Sequence, residues 1–497
     1  MTTPILIVGA GIAGLWTALK LAPRPVILLT GAPLGEGAAT GWAQGGIAVA
    51  AGQDDDPSAH AGDTLVAGAG LSLPAAARAL AGGIGAEIDA LRKLGVPFET
   101  DERGALSLAL EAAHSHPRIA HISGDQAGAI IHRTLITAVK SAPHIDIREG
   151  WHLAALIPSR EGGCAGALVR NANGRSETLR ASHTILATGG YGGLFADTTS
   201  PSGATGAPIA MAARIGAAIR NPEFVQFHPT AIRTGNDPLP LATEALRGAG
   251  ARLVDANGHS ITAGQDLAAR DIVARAVHRA ISTGRGAFLD ARDAVGAEFP
   301  DAFPGVFRAC RAAGIDPRTE PVPVCPAAHY TMGGIATDLE GRTSVEGLWA
   351  VGECASNGLH GANRLASNSL AEGLVFGHRL AIAVASAATP RRTPGQARAT
   401  RPLPPVVLKG LRRAMSDLAG MVRHGEGLED LRLRIDRLDA RFGETDETVL
   451  ARLVADAALA RQESRGAHFR EDYPEPSRQA IDTLMTPFAR HELVAAE

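Results

Sequence analysis

Five side chains able to hold a small anion stand far apart in the sequence: His228, Thr243, Arg270, His329 and Arg364. Four of them carry, or can carry, positive charge. Arginine presents a planar fork that suits bidentate carboxylate binding, and histidine changes protonation near neutral pH. No catalytic triad can be assembled from them, and none has metal-ligand spacing, so no metal is expected. A lone histidine is more often a satisfied structural group than a catalytic one, so the weight lies on the set. Beside a flavin, such a set fits a small dicarboxylate held so that a hydride leaves one carbon for the ring. The cofactor would supply the redox chemistry, and the protein orientation and proton transfer.

Two glycine-rich stretches carry several of these groups. Residues 325–338 read C-P-A-A-H-Y-T-M-G-G-I-A-T-D, and residues 352–370 read G-E-C-A-S-N-G-L-H-G-A-N-R-L-A-S-N-S-L. They contribute His329, His360 and Arg364 among glycines that let backbone approach a ligand closely. The second follows an apolar strand at 347–351 and ends at Ser367-Asn368-Ser369. Such side chains can take up the orphan N–H groups of a helix start. A helix N-terminus facing the site would also favour an anion. Cofactor and anionic substrate are expected to meet here.

The elements that must position these residues begin at the N-terminus. Residues 4–9, P-I-L-I-V-G, form an apolar run like a buried parallel strand. Gly9-Ala10-Gly11-Ile12-Ala13-Gly14 follows, then a helical segment and a second strand at 25–30. This is the dinucleotide fingerprint in its required context: Gly9 for the tight turn, Gly11 for close approach to a pyrophosphate, Gly14 for helix–strand packing. The acid expected after the second strand is missing, since Thr30-Gly31 stands there. NAD is therefore less favoured, and FAD with a different ribose contact stays open. Residues 40–47, T-G-W-A-Q-G-G-I, are either a surface loop or a loop over a flavin ring.

Residues 72–140 read as helical, broken at Gly95-Val96-Pro97. Within them, His114 and His116 are two apart and do not share a helix face, which speaks against a metal pair. Residues 145–187 predict a small antiparallel meander ending in a buried strand before Gly189-Gly190. From about 222 to 337 the chain becomes more polar and reads as an inserted domain. Residues 389–405 have linker composition, and 406–424, 427–442 and 446–465 have helical periodicity. The dense tail at 464–474 is predicted to dock on the rest.

A chain of 497 residues suggests two or three domains. The net charge of −3 is too balanced for a nucleic-acid or membrane-surface binder. Four scattered cysteines suit reduced thiols in a cytosolic protein. The apolar run at 5–19 lacks a basic segment before it and a cleavage site after it, so it reads as strand–turn–helix, not a signal peptide. Charges at Glu372, His378 and Arg379 argue against a membrane span at 370–388.

In order, G-A-G-I-A-G (9–14), A-Q-G-G-I (43–47), Q-F-H-P-T (226–230), T-E-A-L-R-G (243–248), A-R-D-I-V-A-R (269–275), H-Y-T-M-G-G (329–334), H-G-A-N-R-L-A-S-N-S-L (360–370) and S-R-G-A-H-F-R-E-D-Y-P (464–474) cover nearly the whole chain. Together they resemble the succinate dehydrogenase/fumarate reductase flavoprotein superfamily. The segment E-A-A-H-S-H-P-R (111–118) resembles the branch that oxidises L-aspartate. Ala39 stands where the dehydrogenases and quinol-linked reductases have the histidine that carries covalent FAD.

The resemblance implies an α/β fold: a Rossmann-like FAD-binding domain (1–221 and 338–388), an inserted α+β capping domain (222–337), a linker (389–405) and a C-terminal helical bundle (406–497). It implies non-covalent FAD and oxidation of L-aspartate to iminoaspartate, with hydride passing to flavin N5. Reoxidation by O2 or fumarate would follow, in the first step of de novo NAD biosynthesis. A cytoplasmic monomer or homodimer handing its product to quinolinate synthase fits this, and a soluble fumarate reductase or succinate oxidase is the alternative. By resemblance, Arg270 shuttles the proton, His329 and Arg364 grip one substrate carboxylate, and His228 with Thr243 grips the other. Glu244 supports that cluster and Glu111 meets the substrate amine. For FAD the implied residues are Gly9, Ala10, Gly11, Ile12, Ala13, Gly14, Thr40, Gln44, Gly45, Gly46, Glu353, Ser369 and Leu370, with Glu353 taking a ribose-side hydroxyl. The chain departs from the pattern at Ala207 (relatives have T-G-D-G where it has T-G-A-P), at Gly31 in place of a lysine, and at Ala269 in place of a proline.

Overall fold

A computed structural model describes residues 3–389, 391–486 and 492–495. Its central sheet has five parallel strands in the order Leu348–Ala350, Thr184–Leu186, Ile5–Val8, Val26–Thr30 and Ile145–Glu149. All four residues of Ile5–Val8 are buried, as a strand covered on both faces requires. Helix Ile12–Lys20 follows at once and packs against helix Asn368–Ser386. Gly373 and Gly377 make that close crossing possible, since a Cβ on either would fall 2.8 Å from Ile12 Cγ2 or 3.0 Å from Thr17 Oγ1.

The structure departs from the helical reading of 72–140. Helices span only Pro74–Lys93 and Ala127–Lys140. Gly95 (φ +92°) ends the first, and Asp101 Oδ1 closes a turn by accepting from the N–H groups of Arg103 and Ala105. Residues 94–126 are therefore mostly loop, with the short strands Leu108–Ala109 and Ile119–Ala120 beside Ile47–Ala48. The meander is also smaller than its sequence suggests. Trp151–Pro158, Cys164–Asn171 and Ser176–Arg180 form it, whereas Ile145–Glu149 lies in the parallel sheet, turned away at Gly150 (φ +74°). Alternating sequence does not tell an edge strand of one sheet from the first strand of the next.

Between residues 222 and 337 an antiparallel sheet runs in the order Val225–Ile232, Val322–Thr331, Phe288–Asp290, Arg252–Val254. With helices Arg270–Ser282 and Pro304–Ala312 it encloses a separate apolar cluster around Leu253, Val277, Phe299 and Val324. Residues 391–395 lie tied to the surface: Arg392 pairs with Glu346 at 2.9 Å, and Gly395 N–H donates to Pro158 O. Helices Pro405–Leu418, Gly425–Phe442 and Asp446–Ala460 follow. The chain then leaves helical structure, and Ile481–Met485 and Glu492–Ala495 extend a second five-stranded sheet beside Ile219–Arg220. The tail docks as its composition suggests: Arg465 Nη1 donates to Ala69 O, and Ala467 N–H donates to Ala362 O. Among the described residues, no helix is long and apolar enough to cross a membrane.

Candidate active site

One cavity of about 890 Å³ runs from the glycine fingerprint to the inserted segment. That is near the top of the ~300–1,000 Å³ usual for small-ligand sites. At the nucleotide end it is lined by Gly9, Ala10, Gly11, Ile12 and Ala13, and by Thr30 and Gly31. Gly9 has φ +113°, and a Cβ there would fall 2.2 Å from Ala187 O. Gly11 meets only Thr40 Oγ1, at 3.3 Å, so the space above it is open. Thr40 in turn accepts the Ile12 N–H at 3.0 Å. No acid sits in the first turn of helix Ile12–Lys20, leaving its positive end free for a pyrophosphate. Gly14 does not line the cavity: a Cβ there would fall 2.0 Å from Gly9 O, so its part is packing, not ligand contact.

Thr40, Gln44, Gly45 and Gly46 form the roof of the middle section. Gln44 Oε1 is buried and has no hydrogen-bond partner among the described residues. Such an orphan is costly unless a ligand completes it, and the polar edge of a flavin would do so. Glu353 accepts from Thr331 N–H at 3.0 Å and from its hydroxyl at 3.2 Å. Burial raises its carboxyl to about 7, against the pull of those donors. Ser369 and Leu370 line the cavity in the first turn of helix Asn368–Ser386. The expected serine–asparagine cap is absent. Ser367 is left-handed (φ 59°) and makes no cap, because its hydroxyl donates to Glu111 Oε2 at 2.7 Å. Asn368 is held by His60 and Thr64. The first N–H groups of that helix therefore face the cavity without a side-chain cap.

Glu111, His228, Thr243, Glu244, Arg270, His329 and Arg364 all line the far end. Arg270 opens helix Arg270–Ser282 and donates from Nε to Glu244 Oε2 at 2.6 Å and from Nη1 to Gln226 Oε1 at 3.1 Å. His228 lies on strand Val225–Ile232 and His329 on its partner Val322–Thr331, with ring centroids 5.0 Å apart. Thr199 Oγ1 lies 2.8 Å from His329 Nδ1, and Thr230 N–H donates to His228 Nδ1 at 3.3 Å, which leaves the proton of neutral His228 on Nε2. Burial, then the neighbouring guanidiniums, hold both imidazoles well below their ordinary range. The Arg364 guanidinium lies 4.5 Å over the Tyr330 ring, and its Nε has no partner among the described residues. Burial and the Arg270 charge lower it to about 10. Thr243 is buried, its Oγ1 accepting from Ala245 N–H at 3.4 Å.

The two carboxyls of this end are driven apart. Burial and the charge of Glu244 push Glu111 up. Burial also resists ionisation of Glu244, but the Arg270 and Arg247 guanidiniums outweigh it and its carboxyl is lowered. Glu111 also adjoins the roof loop, since a Cβ on Gly45 would fall 3.3 Å from Glu111 Oε1. His360 does not take part in the cavity: it is buried against Glu372 at 3.2 Å and Tyr330 at 3.3 Å. Gln226, Arg247 and Ser367 escaped the sequence reading. Gln226 lies two residues before His228 on the same strand, so the strand period could have found it. Nothing in the sequence marked Ser367 beyond its apparent cap.

A fingerprint helix open to a pyrophosphate, an orphaned amide under a glycine roof and a cationic pocket beyond it define an FAD-dependent oxidoreductase. The FAD binding domain family matches residues 4–370, and the fumarate reductase flavoprotein C-terminal family matches residues 445–495. The L-aspartate oxidase of Caulobacter vibrioides is 48% identical over 97% of this chain and 95% of its own. That of Mesorhizobium japonicum is 44% identical over 97% and 94%. The FrdA chain of E. coli quinol fumarate reductase superposes with a TM-score of 0.90 at 27% identity, covering 100% of this chain and 97% of that one. The chain belongs to the L-aspartate oxidase family.

Proposed function

We propose that this chain oxidises L-aspartate to iminoaspartate, bound FAD accepting the hydride and being reoxidised by O2 or fumarate. The observation that carries the reading is Glu111, a buried carboxyl facing a cationic pocket and touching the cofactor roof. Arg270 and Arg364 line that pocket, and its one carboxyl held low, Glu244, is shared between Arg270 at 2.6 Å and Arg247 at 3.6 Å, which leaves the pocket cationic. A dicarboxylate balances that charge.

His329 and the free Nε of Arg364 hold one substrate carboxylate; His228 and Thr243 hold the other. Glu244 fixes the Arg270 fork through Nε, so the outer part of the guanidinium can face the reacting carbons and move a proton there. Glu111, once its proton is displaced, accepts the substrate ammonium, a group that succinate lacks. Gly9 to Ala13, with Gly14 packing behind them, Thr40, Gln44, Gly45, Gly46, Glu353, Ser369 and Leu370 hold FAD without a covalent bond, since Ala39 offers no nucleophile. The same reading makes this the first step of de novo NAD biosynthesis, in the cytoplasm, with iminoaspartate passed on to quinolinate synthase. The two catalytic parts are an FAD-binding unit (1–221 and 338–388) and a capping unit (222–337).

Glu111→Gln tests it. Losing a charge-assisted hydrogen bond worth ~1.5–3 kcal/mol should lower kcat/KM for L-aspartate roughly 10- to 150-fold while fumarate reduction persists. Equal losses in both reactions would remove the amine-binding role and favour a fumarate reductase.

A further inference from the structure

We propose that His152 is a cofactor-binding side chain, gripping the ribose hydroxyls at the adenosine end of FAD. It rests on the assignment of FAD to this cavity. In dinucleotide folds the pyrophosphate lies at the first helix N-terminus, and an acid after the second strand takes the adenosine ribose. Here that strand ends at Thr30, whose hydroxyl donates to Ala32 O at 2.9 Å, and Gly31 follows with no side chain. The place is nevertheless filled. A Cβ on Gly31 would fall 2.5 Å from His152 Nδ1 and 2.6 Å from its Cε1, so the imidazole occupies the space a side chain at 31 would need.

His152 stands on strand Trp151–Pro158 and is exposed, yet its ring lines the same cavity as Gly11 and Thr30. Its ring nitrogens have no hydrogen-bond partner among the described residues. A neutral imidazole offers one donor and one acceptor, the complement of a vicinal diol. The glycine and the histidine thus act as a pair: the small residue on one strand admits the polar ring of the next. Glu36 also lines this end and offers a carboxylate that could accept from a hydroxyl.

The test measures dissociation constants of the full-length apoprotein for FAD and for riboflavin 5′-phosphate, which lacks the adenosine, by flavin fluorescence. His152→Ala should weaken FAD binding roughly tenfold, the value of one hydrogen bond, and leave riboflavin 5′-phosphate unchanged. His152→Gln, which keeps a donor and an acceptor, should recover most of the loss. Unchanged FAD affinity in His152→Ala, an equal loss for both flavins, or a loss confined to Glu36→Gln would overturn the assignment. Wild-type protein that binds no FAD would instead overturn the cofactor reading on which it rests.

Discussion

Glu353 couples the stability of the apoprotein to pH at the level of a single group. Burial raises its carboxyl to about 7 from an ordinary 4.5, so in the folded apoprotein it is mostly neutral only below that pH. A raised value contributes stability that is complete below about 4.5 and is lost as pH rises through about 7. At roughly 1.4 kcal/mol per pH unit that span is worth about 3 kcal/mol. Glu353→Gln cannot ionise and should lose none of it. The melting temperature of the variant apoprotein, relative to wild type, should therefore climb between pH 5 and pH 7.5. Parallel melting curves across that range would refute the burial argument. The same scale shows what sequence could reveal. Arg270, His228, His329 and Arg364 stood out because each is a charged or titratable group inside a glycine-rich or proline-broken motif, and all four line one cavity. His360 stood out for the same reason and is a structural partner of Glu372. Residue type and motif do not say which way a side chain points. Ser367 was hidden by the opposite error, because a serine before a helix suggests a cap and this one serves Glu111 instead.

At the level of elements, the parallel strands and their helices were legible because they are apolar, periodic and punctuated by glycine. The stretch at 94–126 was not, because alanine-rich sequence continues through it while turns at Gly95 and Asp101 set its path. The two final strands were hidden behind three helices, and the partner strand Ile219–Arg220 lies more than 250 residues away in sequence. One contact between elements ties segment 222–337 to the nucleotide side. Asp125, on the nucleotide side, accepts from Gly305 N–H at 3.0 Å and Val306 N–H at 2.9 Å, capping helix Pro304–Ala312 from across the interface. Losing a cap of this kind costs about 1 kcal/mol. Asp125→Ala should increase tryptic cleavage within residues 222–337. An identical digestion pattern would mean that the cap does not hold the unit in place.

Across the whole molecule, the C-terminal segment is fastened to the catalytic part by buried charge. Arg461 Nε donates to Glu223 at 2.7 Å and Nη1 to Glu463 at 2.6 Å, while Nη2 donates to Ile481 O and the Thr483 hydroxyl. Thr483 Oγ1 also donates to Glu223. Arg461→Ala leaves the buried Glu223 carboxylate without its ion-pair partner, while Glu463 keeps Arg465 at 2.9 Å; the loss is about 3–5 kcal/mol. Calorimetry should find the variant melting well below wild type, and an unchanged transition would show the network to be dispensable. The sequence announced this docking through the dense tail at 464–474, but not the groups that receive it, since Ala69 and Ala362 do so through backbone carbonyls that no motif marks.

The central claim is that a dicarboxylate bearing an amine is the reductant of the bound flavin. The direct measurement is to mix FAD-loaded protein anaerobically with L-aspartate and, separately, with succinate, following flavin absorbance. Bleaching by L-aspartate alone, with colour restored by air or fumarate, is the predicted result. Bleaching by succinate and not by L-aspartate would contradict it and deprive Glu111 of its role.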